Sequence, residues 1–228
     1  MIPELRFLFS EIHPEEIRDL SIFMDGVARI LRNSGKLYSQ LGQEALVAGF
    51  TQQVLDPFYL EIGAYHPYEY SNTAALRDSL NWRGLSLDPN PQSLEAFKAA
   101  GFESLFINKG VGTRAETAYL RLDGAFSDTH HEFGQDLLKV ELIDIKVLVS
   151  DLSKVTYLSL DIEGGELEIL RSFPWEFSKP EVVTVEHNHI VDIENQIRGL
   201  MEDLGYRQVL RSITLFESWF VLQNSSVD

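Results

Sequence analysis

The sequence predicts an α/β fold in which a mostly parallel β-sheet is covered by helices on both faces. From residue 58 onward, short apolar segments of strand length alternate with segments of helical periodicity, a pattern typical of parallel sheets. The last two strand candidates are joined by only a few residues around Ser212, which favours a hairpin. One antiparallel pair is therefore expected at the end of the sheet.

Residues 1–50 differ from the rest and are predicted to form a helical cap, followed by the α/β domain at residues 51–228. After Pro14, which suits a first helical turn, apolar residues recur on one face of a helix. A break at residues 33–35 precedes a second helix that ends near Phe50. We expect these helices to cover the sheet or shield a substrate pocket. Alternatively, the polar residues between them contact a ligand.

The strand candidates are short apolar or β-branched runs: Phe58–Ile62, Gly84–Leu87, Ser104–Ile107, Tyr157–Ile162, Val182–Glu186, Tyr206–Leu210 and Leu215–Leu222. The helical candidates lie between them: Thr73–Leu80, Gln92–Ala100, Glu166–Ser172 and Asp192–Leu204. In the less regular region 111–155, Thr117–Leu122 resembles a strand and Glu141–Val149 is apolar and β-branched. The polar stretch 123–136 is predicted to be a loop at the pocket mouth. Its adjacent His130 and His131 are interpreted as solvated side chains, with a metal role as the alternative.

Composition excludes several classes of function. The formal net charge of −16 argues against nucleic acid or an anionic membrane as a partner and favours a neutral or cationic substrate. The absence of cysteine excludes thiol nucleophiles, disulfides and zinc–thiolate sites, and fits a cytoplasmic protein. Neither a signal peptide nor an apolar run of transmembrane length is evident, so we expect a soluble protein.

The stretch from Phe58 to Thr73 predicts a ligand site. A strand ends in Glu61, and the turn at Gly63 lacks the second and third glycines through which a dinucleotide pyrophosphate reaches the backbone. A cofactor with a cationic amino-acid end and no phosphate, such as S-adenosylmethionine, would instead gain from the acid. At the end of the next strand, Asp88 can accept both hydroxyl hydrogens of a ribose. Capping and turn roles are the structural alternatives for these two acids.

A second cluster of polar residues follows the strand that begins at Tyr157. Asp161, Glu163 and Glu166 lie at its carboxyl end, and Glu166 is explained by a helix amino terminus. The next strand ends in Glu186-His187, in the same crevice. An acid from one strand and His187 from its neighbour form either a general base or half of a metal site, for which Asp161, Glu163 and His187 are the candidate ligands. A capping cluster with a buried, hydrogen-bonded histidine is the structural alternative.

Together these motifs resemble the FkbM family of S-adenosylmethionine-dependent methyltransferases. The resemblance extends from about Tyr38 to the carboxyl terminus. It rests on six segments, which are YSQ at 38–40, LEIGAYHPYEYSNT at 60–73, LDPNP at 87–91, NKGVG at 108–112, LDIEGGELEIL at 160–170 and VEHN at 185–188. The turn after Gly63 departs from the family pattern, because Tyr65, His66 and Pro67 replace a more glycine-rich sequence.

The resemblance implies a class I methyltransferase fold, a Rossmann-like three-layer sandwich whose seven-stranded sheet has an antiparallel last strand. It implies S-adenosylmethionine as cofactor, bound by Ser39, Gln40, Glu61, Gly63, Ala64, Tyr65, Ser71, Asn72, Asp88, Pro89, Asn90 and Asp161. Asp161 and Glu163 would face the transferred methyl group. His187 is the first candidate for the base, because the unperturbed pKa of histidine is about 6.5. Asp161 would orient it or share a divalent cation.

The expected reaction is O-methylation of a small molecule, a sugar or a secondary metabolite, by in-line displacement; N-methylation is an alternative. Two other classes stay open at this point. One is a degenerate methyltransferase domain that holds a ligand or a partner protein without turnover. The other is a nicotinamide-dependent oxidoreductase, which the missing glycines disfavour. The acceptor, the metal requirement and the oligomeric state are not predicted.

Overall fold

The computed structural model describes residues 13–121, 128–130, 137–152 and 154–223. The α-helices in this part of the chain are α1 Ile17–Ser34, α2 Gln43–Phe50, α3 Ala74–Leu80, α4 Pro91–Ala99, α5 Ile145–Ser150, α6 Glu166–Ser172 and α7 Val191–Asp203. The strands are β1 Phe58–Ile62, β2 Arg83–Leu87, β3 Phe106–Ile107, β4 Gly110–Gly112, β5 Glu116–Arg121, β6 Asp128–His130, β7 Leu137–Asp144, β8 Tyr157–Leu160, β9 Val182–Glu186, β10 Tyr206–Val209 and β11 Glu217–Leu222.

The main sheet has seven strands in the order β10-β11-β9-β8-β1-β2-β3. All run parallel except β11, which is antiparallel to both of its neighbours. The carboxyl ends of β1, β8 and β9 and the amino end of β11 therefore meet at one edge of the sheet. The predicted α/β fold, with a seven-stranded sheet and an antiparallel last strand, is confirmed.

Both faces of this sheet are buried, and the side chains of each strand point alternately into two apolar layers. In β1, Tyr59 packs with α1, α2 and α3, whereas Leu60 and Ile62 pack with α5, α6 and α7 on the opposite face. Successive side chains of a strand point to opposite faces, so a strand buried on both sides is apolar throughout. This is why the strands could be recognised as short apolar runs.

Helices α1 and α2 belong to the layer on the Tyr59 face. They approach so closely that a Cβ atom on Gly26 would lie 1.9 Å from the carbonyl oxygen of Ala45. Helix α1 is also tied to β10, because the Arg207 guanidinium donates to both carboxylate oxygens of Asp19 at 2.6 and 2.7 Å. The predicted helical cap thus packs directly on the sheet.

A second sheet, with the order β4-β7-β5-β6, lies between β3 and α5 in the chain. The sequence predicted one of its strands, at Thr117–Leu122, which forms β5, but it did not predict the sheet. The predicted loop at 123–136 was wrong in part, because Asp128–His130 forms β6 and pairs with β5. The remainder of that loop, including His131 and the side chain of His130, lies outside the described residues. The apolar run at 141–149 divides into β7 and α5, because the Asp144 side chain caps the helix by accepting from the Lys146 amide at 2.8 Å.

Several strand boundaries differ from the prediction, and three of them differ by two residues. The candidate at 104–107 begins as a 3-10 turn, Glu103–Leu105, before β3. Strand β8 ends at Leu160, two residues early, and β11 begins at Glu217 because Leu215 has a left-handed backbone with φ 51°. Among the described residues no helix has both the length and the apolar character required to cross a membrane.

Gly63 follows β1 and provides a test of this architecture. Its φ is 87°, and a Cβ atom there would lie 1.4 Å from the carbonyl oxygen of Asp161 at the end of β8. We expect Gly63→Ala to lower the free energy of unfolding by at least about 2 kcal/mol, because both the backbone conformation and the contact exclude a side chain. Urea denaturation measures the change.

The matched control is Gly199→Ala in α7, where a Cβ atom meets nothing within 4 Å. There the change should stabilise the chain by about 0.5–1 kcal/mol, because alanine favours helix more than glycine does. If Gly63→Ala unfolded like the unmodified protein, the close approach of β1 and β8 would be wrong.

Candidate active site

A cavity lies at the edge of the main sheet where the carboxyl ends of β1, β2, β8 and β9 meet. Residues from the segments after β1 and β2, from the small sheet and from the start of β11 complete its wall. All the predicted cofactor residues line this cavity except Ser39 and Ser71. Of the predicted catalytic residues, Asp161 and Glu163 line it as well. The structure therefore brings most of the predicted site into one place.

Glu61 is buried near the end of β1, and its carboxylate accepts hydrogen bonds from several other residues. Its carboxylate accepts hydrogen bonds from the Thr73 hydroxyl at 2.7 Å, the Ser86 hydroxyl at 2.8 Å and the Asn72 amide at 3.1 Å. Burial raises the pKa of Glu61, and the hydrogen bonds from Thr73 and Ser86 oppose that shift. This carboxylate joins β1 to β2 and to the segment that leads into α3.

The turn after Glu61 is held against both neighbouring strands. The amides of Gly63 and Ala64 donate to the carbonyl oxygen of Leu87 at 2.9 and 3.0 Å. On the other side Gly63 lies against the backbone of Asp161, as described above. Gly63 is therefore the position of this turn at which a side chain would collide with a neighbouring strand, whereas Ala64 carries a Cβ there.

Asp88 lies at the carboxyl end of β2 and faces the same turn. Its carboxylate accepts the amide of Tyr65 at 2.8 Å and the amide of Asn90 at 2.7 Å. Burial raises the pKa of this carboxyl, with the two amides acting in the opposite direction. Asn90 also lines the cavity, and its buried Nδ2 has no hydrogen-bond partner among the described residues. A ligand acceptor would satisfy that donor.

Ser39 and Ser71 hold loops in place at the cavity without lining it. The Ser39 amide and hydroxyl both donate to the buried carboxylate of Glu44. The Ser71 hydroxyl accepts the first amide of α3 at 3.0 Å. The neighbouring residues Gln40 and Asn72 do line the cavity. Any effect of the two serines on a ligand is therefore indirect, through these neighbours.

Three carboxylates meet at the ends of β8 and β9. Asp161, Glu163 and Glu186 each present an oxygen atom, and these oxygens all lie within 4.8 Å of one another. Burial raises the pKa of Glu186 to about 10, and the adjacent Asp161 carboxyl adds to the shift. Glu163 has a left-handed backbone with φ 57° and accepts the Asn188 side-chain amide at 3.3 Å. The arrangement suits a cation or a shared proton.

The structure brings Glu186 rather than His187 to Asp161 and Glu163. His187 is buried, its amide donates to the carbonyl oxygen of Phe216 at 2.9 Å, and it is not among the residues that line the cavity. Its Nδ1 has no partner among the described residues. Sheet register provides the signal for Glu186, because Leu160 pairs with Val185 and the next residues of both strands are therefore neighbours.

Sequence reasoning also missed Glu217, Gln43 and Lys109, all of which line the cavity. The Glu217 carboxylate accepts the indole N–H of Trp219 at 2.7 Å and the side-chain amide of Gln43 at 2.9 Å. Burial raises the pKa of Glu217 to about 7. An acid at the start of an otherwise apolar terminal strand was the available signal. Lys109 is the one lysine or arginine in the described cavity wall, and it pairs with Glu141 at 2.7 Å.

The strand order, the antiparallel last strand and the cavity at the carboxyl edge define a class I methyltransferase fold. The sequence matches the family model described as the methyltransferase FkbM domain over residues 61–208. The chain therefore belongs to the FkbM methyltransferase family. Membership implies S-adenosylmethionine as the methyl donor.

Two solved structures are similar to this chain at low sequence identity. A precorrin-6y C5,15-methyltransferase from Geobacter metallireducens GS-15 is 16% identical, with a TM-score of 0.41 and coverage of 72% of each chain. A chain of a fibrillarin/Nop5p complex is 13% identical, with a TM-score of 0.43 and coverage of 82% of this chain and 81% of the other. The sequence comparison with curated proteins found no match.

The raised pKa of Glu217 predicts a pH-dependent stability. Because its pKa is about 7 in the folded chain and 4.5 ordinarily, the folded state holds the proton more tightly. The resulting stabilisation is complete below pH 4.5 and is lost as the pH rises to 7, by roughly 3 kcal/mol at about 1.4 kcal/mol per unit. Glu217→Gln lacks this titration, so its free energy of unfolding relative to the unmodified protein should rise by that amount over the same range.

Urea denaturation at half-unit steps of pH measures this difference. The control is Glu95→Gln on the exposed face of α4, which removes a carboxylate from the surface instead of from the cavity. A flat difference for Glu217→Gln would show that its carboxyl titrates normally.

Proposed function

We propose that this protein transfers a methyl group from S-adenosylmethionine to a hydroxyl group of a small molecule, a sugar or a secondary metabolite. The observation that carries the proposal is the placement of Asp88, Asn90 and Asp161 on one cavity at the carboxyl edge of a methyltransferase sheet. Family membership supports the donor. The hydroxyl acceptor rests on the charge of the cavity and on the chemistry of its acids.

The chemistry of the cavity fits the donor. The Asp88 carboxylate is fixed by two amides at the end of β2, where an acid can accept ribose hydroxyls. The unpartnered Nδ2 of Asn90 offers a donor nearby. The acids Glu61, Asp161 and Glu163 line the cavity, which favours the cationic amino-acid end of the cofactor and disfavours a pyrophosphate.

The same acidity limits the acceptor. With Lys109 as the one basic side chain in the described wall, an anionic acceptor would be repelled, whereas a neutral hydroxyl compound would not. An amine acceptor also satisfies this condition. We place the hydroxyl acceptor first because a buried carboxylate can take its proton, and leave N-methylation as the alternative.

S-adenosylmethionine, when bound, supplies a methyl group that is attached to a positively charged sulfur. After the transfer, the sulfur is left as a neutral thioether. Asp161 lies on the cavity wall, and burial raises its pKa, which makes it a stronger base than an exposed aspartate. We propose that Asp161 accepts the proton of the acceptor's hydroxyl group as the new oxygen–carbon bond forms. Glu163 orients the acceptor. His187 does not line the cavity, so we assign the proton to Asp161 rather than to His187.

Cofactor binding is tested first, because it needs no acceptor. We expect S-adenosylhomocysteine to bind the purified chain in isothermal titration calorimetry, and Asp88→Asn to weaken its binding at least tenfold, since the ribose loses a charged acceptor. The control Glu95→Gln should bind as the unmodified protein does. Binding of NAD without binding of S-adenosylhomocysteine would overturn the proposal.

The proton assignment is tested on a panel of hydroxyl and amine acceptors, with the methylated product detected by mass spectrometry. Asp161→Asn should lower kcat at least 100-fold, because general-base catalysis contributes on the order of 10²–10⁴. His187→Gln should lower kcat less than tenfold. Full activity of Asp161→Asn would refute the assignment. If kcat fell more in His187→Gln than in Asp161→Asn, His187 would be the base. Cofactor binding without transfer to any acceptor would favour a non-catalytic binding module.

A further inference from the structure

The acidic cluster formed by Asp161, Glu163 and Glu186 is not explained by the turn that follows β8. The turn already has a carboxylate acceptor in Glu166, whose Oε1 accepts hydrogen bonds from the amides of Ile162 at 3.1 Å and Gly164 at 2.9 Å. The three cluster carboxylates are therefore not needed to cap the turn amides. One oxygen of each lies within 4.8 Å of the others, although three negative charges at that separation would repel one another.

A second observation concerns Glu186, which has an unsatisfied carboxylate oxygen in the cavity. Glu186 is only 7% exposed, lines the cavity, and has an Oε2 atom without a hydrogen bond among the described residues. Within that part of the chain, no lysine or arginine forms an ion pair with Asp161 or Glu186. A buried carboxylate oxygen without a hydrogen bond is costly, and either a positive ligand or a proton shared between Asp161 and Glu186 would offset that cost.

We propose that Asp161, Glu163 and Glu186 bind one divalent cation at the carboxyl ends of β8 and β9. An all-oxygen set of carboxylates selects a hard ion such as Mg²⁺ or Mn²⁺ over ions that prefer nitrogen or sulfur ligands. Two of the ligands come from the turn after β8 and the third from β9, so the ion also joins the two strands. The candidate set predicted from the sequence contained His187 in the place of Glu186.

The cavity supplies room for the other ligands. Mg²⁺ retains several waters when only a few carboxylates bind it, and these positions would face the cavity that the three acids line. A hydroxyl oxygen of an acceptor can take one of them. Because the cation site uses one oxygen of Asp161, the other oxygen can still accept the hydroxyl proton. In this respect the inference deepens the proposed function and rests on it for the role of the ion, but cation binding itself requires neither donor nor acceptor.

Calorimetric titration of the full chain with MnCl₂ alone tests the site. We expect one Mn²⁺ per chain, with Glu186→Gln and Asp161→Asn each weakening the binding at least tenfold. The control is Glu176→Gln, an exposed acid near the amino ends of β8 and β9, which removes the same charge and should bind as the unmodified protein does. Absence of saturable binding by the unmodified protein, or unchanged binding by Glu186→Gln, would overturn the proposal.

Thermal unfolding separates loss of the site from loss of the fold. A cation that binds only the folded chain raises its Tm with concentration. MnCl₂ should raise the Tm of the unmodified protein and of Glu176→Gln by the same amount, and raise the Tm of Glu186→Gln less at each concentration. An equal rise in Glu186→Gln would place the ion elsewhere and refute the assignment.

Titration of S-adenosylhomocysteine on the same samples keeps the two proposals apart. Cofactor binding without Mn²⁺ binding refutes only the cation site, and leaves an ammonium group of an amine acceptor as the partner of the acids. Mn²⁺ binding lost in Glu186→Gln, together with no binding of the cofactor analogue, supports the cation site and counts against the methyltransferase function.

Discussion

The buried carboxylate of Glu61 is the interaction on which the carboxyl edge of the sheet depends. It accepts hydroxyl groups from Thr73 and Ser86 and an amide from Asn72, so that β1, β2 and the segment before α3 share one anchor. Removing the acid would leave these buried donors unsatisfied, which is more costly than the net gain of a typical hydrogen bond. The Gly63 turn and the position of Asn72 in the cavity wall follow from this anchor.

Strand alternation explains why the acids meet. Every second residue of a strand faces the same layer, and Glu61, Glu186 and Glu217 share the face of Tyr59, Val182 and Trp219, which the first three helices cover. Asp161 follows the same alternation from Tyr157. Gln43 of α2 reaches Glu217 from that layer. The amino-terminal helices therefore form part of the wall of the site in addition to covering the sheet.

The sequence predicted β1, β9 and α6 with the observed bounds, because their apolar periodicity is strong and their ends carry charged or glycine residues. The small sheet escaped prediction because Gly110–Gly112 has no strand-like pattern and pairs with β7, about thirty residues away in the chain. The prediction named His187 where the structure places Glu186, and this error has a different cause. Adjacent residues point to opposite sides of a strand, and only the register with β8 decides which of them reaches Asp161.

The unfavourable features of this fold are concentrated at the same edge as its candidate chemistry. Tyr65, Glu163, Asn188 and His189 are non-glycine residues with φ between 42° and 60°, and they follow β1, β8 and β9. The acids with raised pKa values lie beside them. Such strain persists only where the surrounding structure imposes it, and here two apolar layers hold the strand ends in place. A cationic ligand at this edge would relieve the repulsion between the acids, so binding and stability are coupled through the same residues.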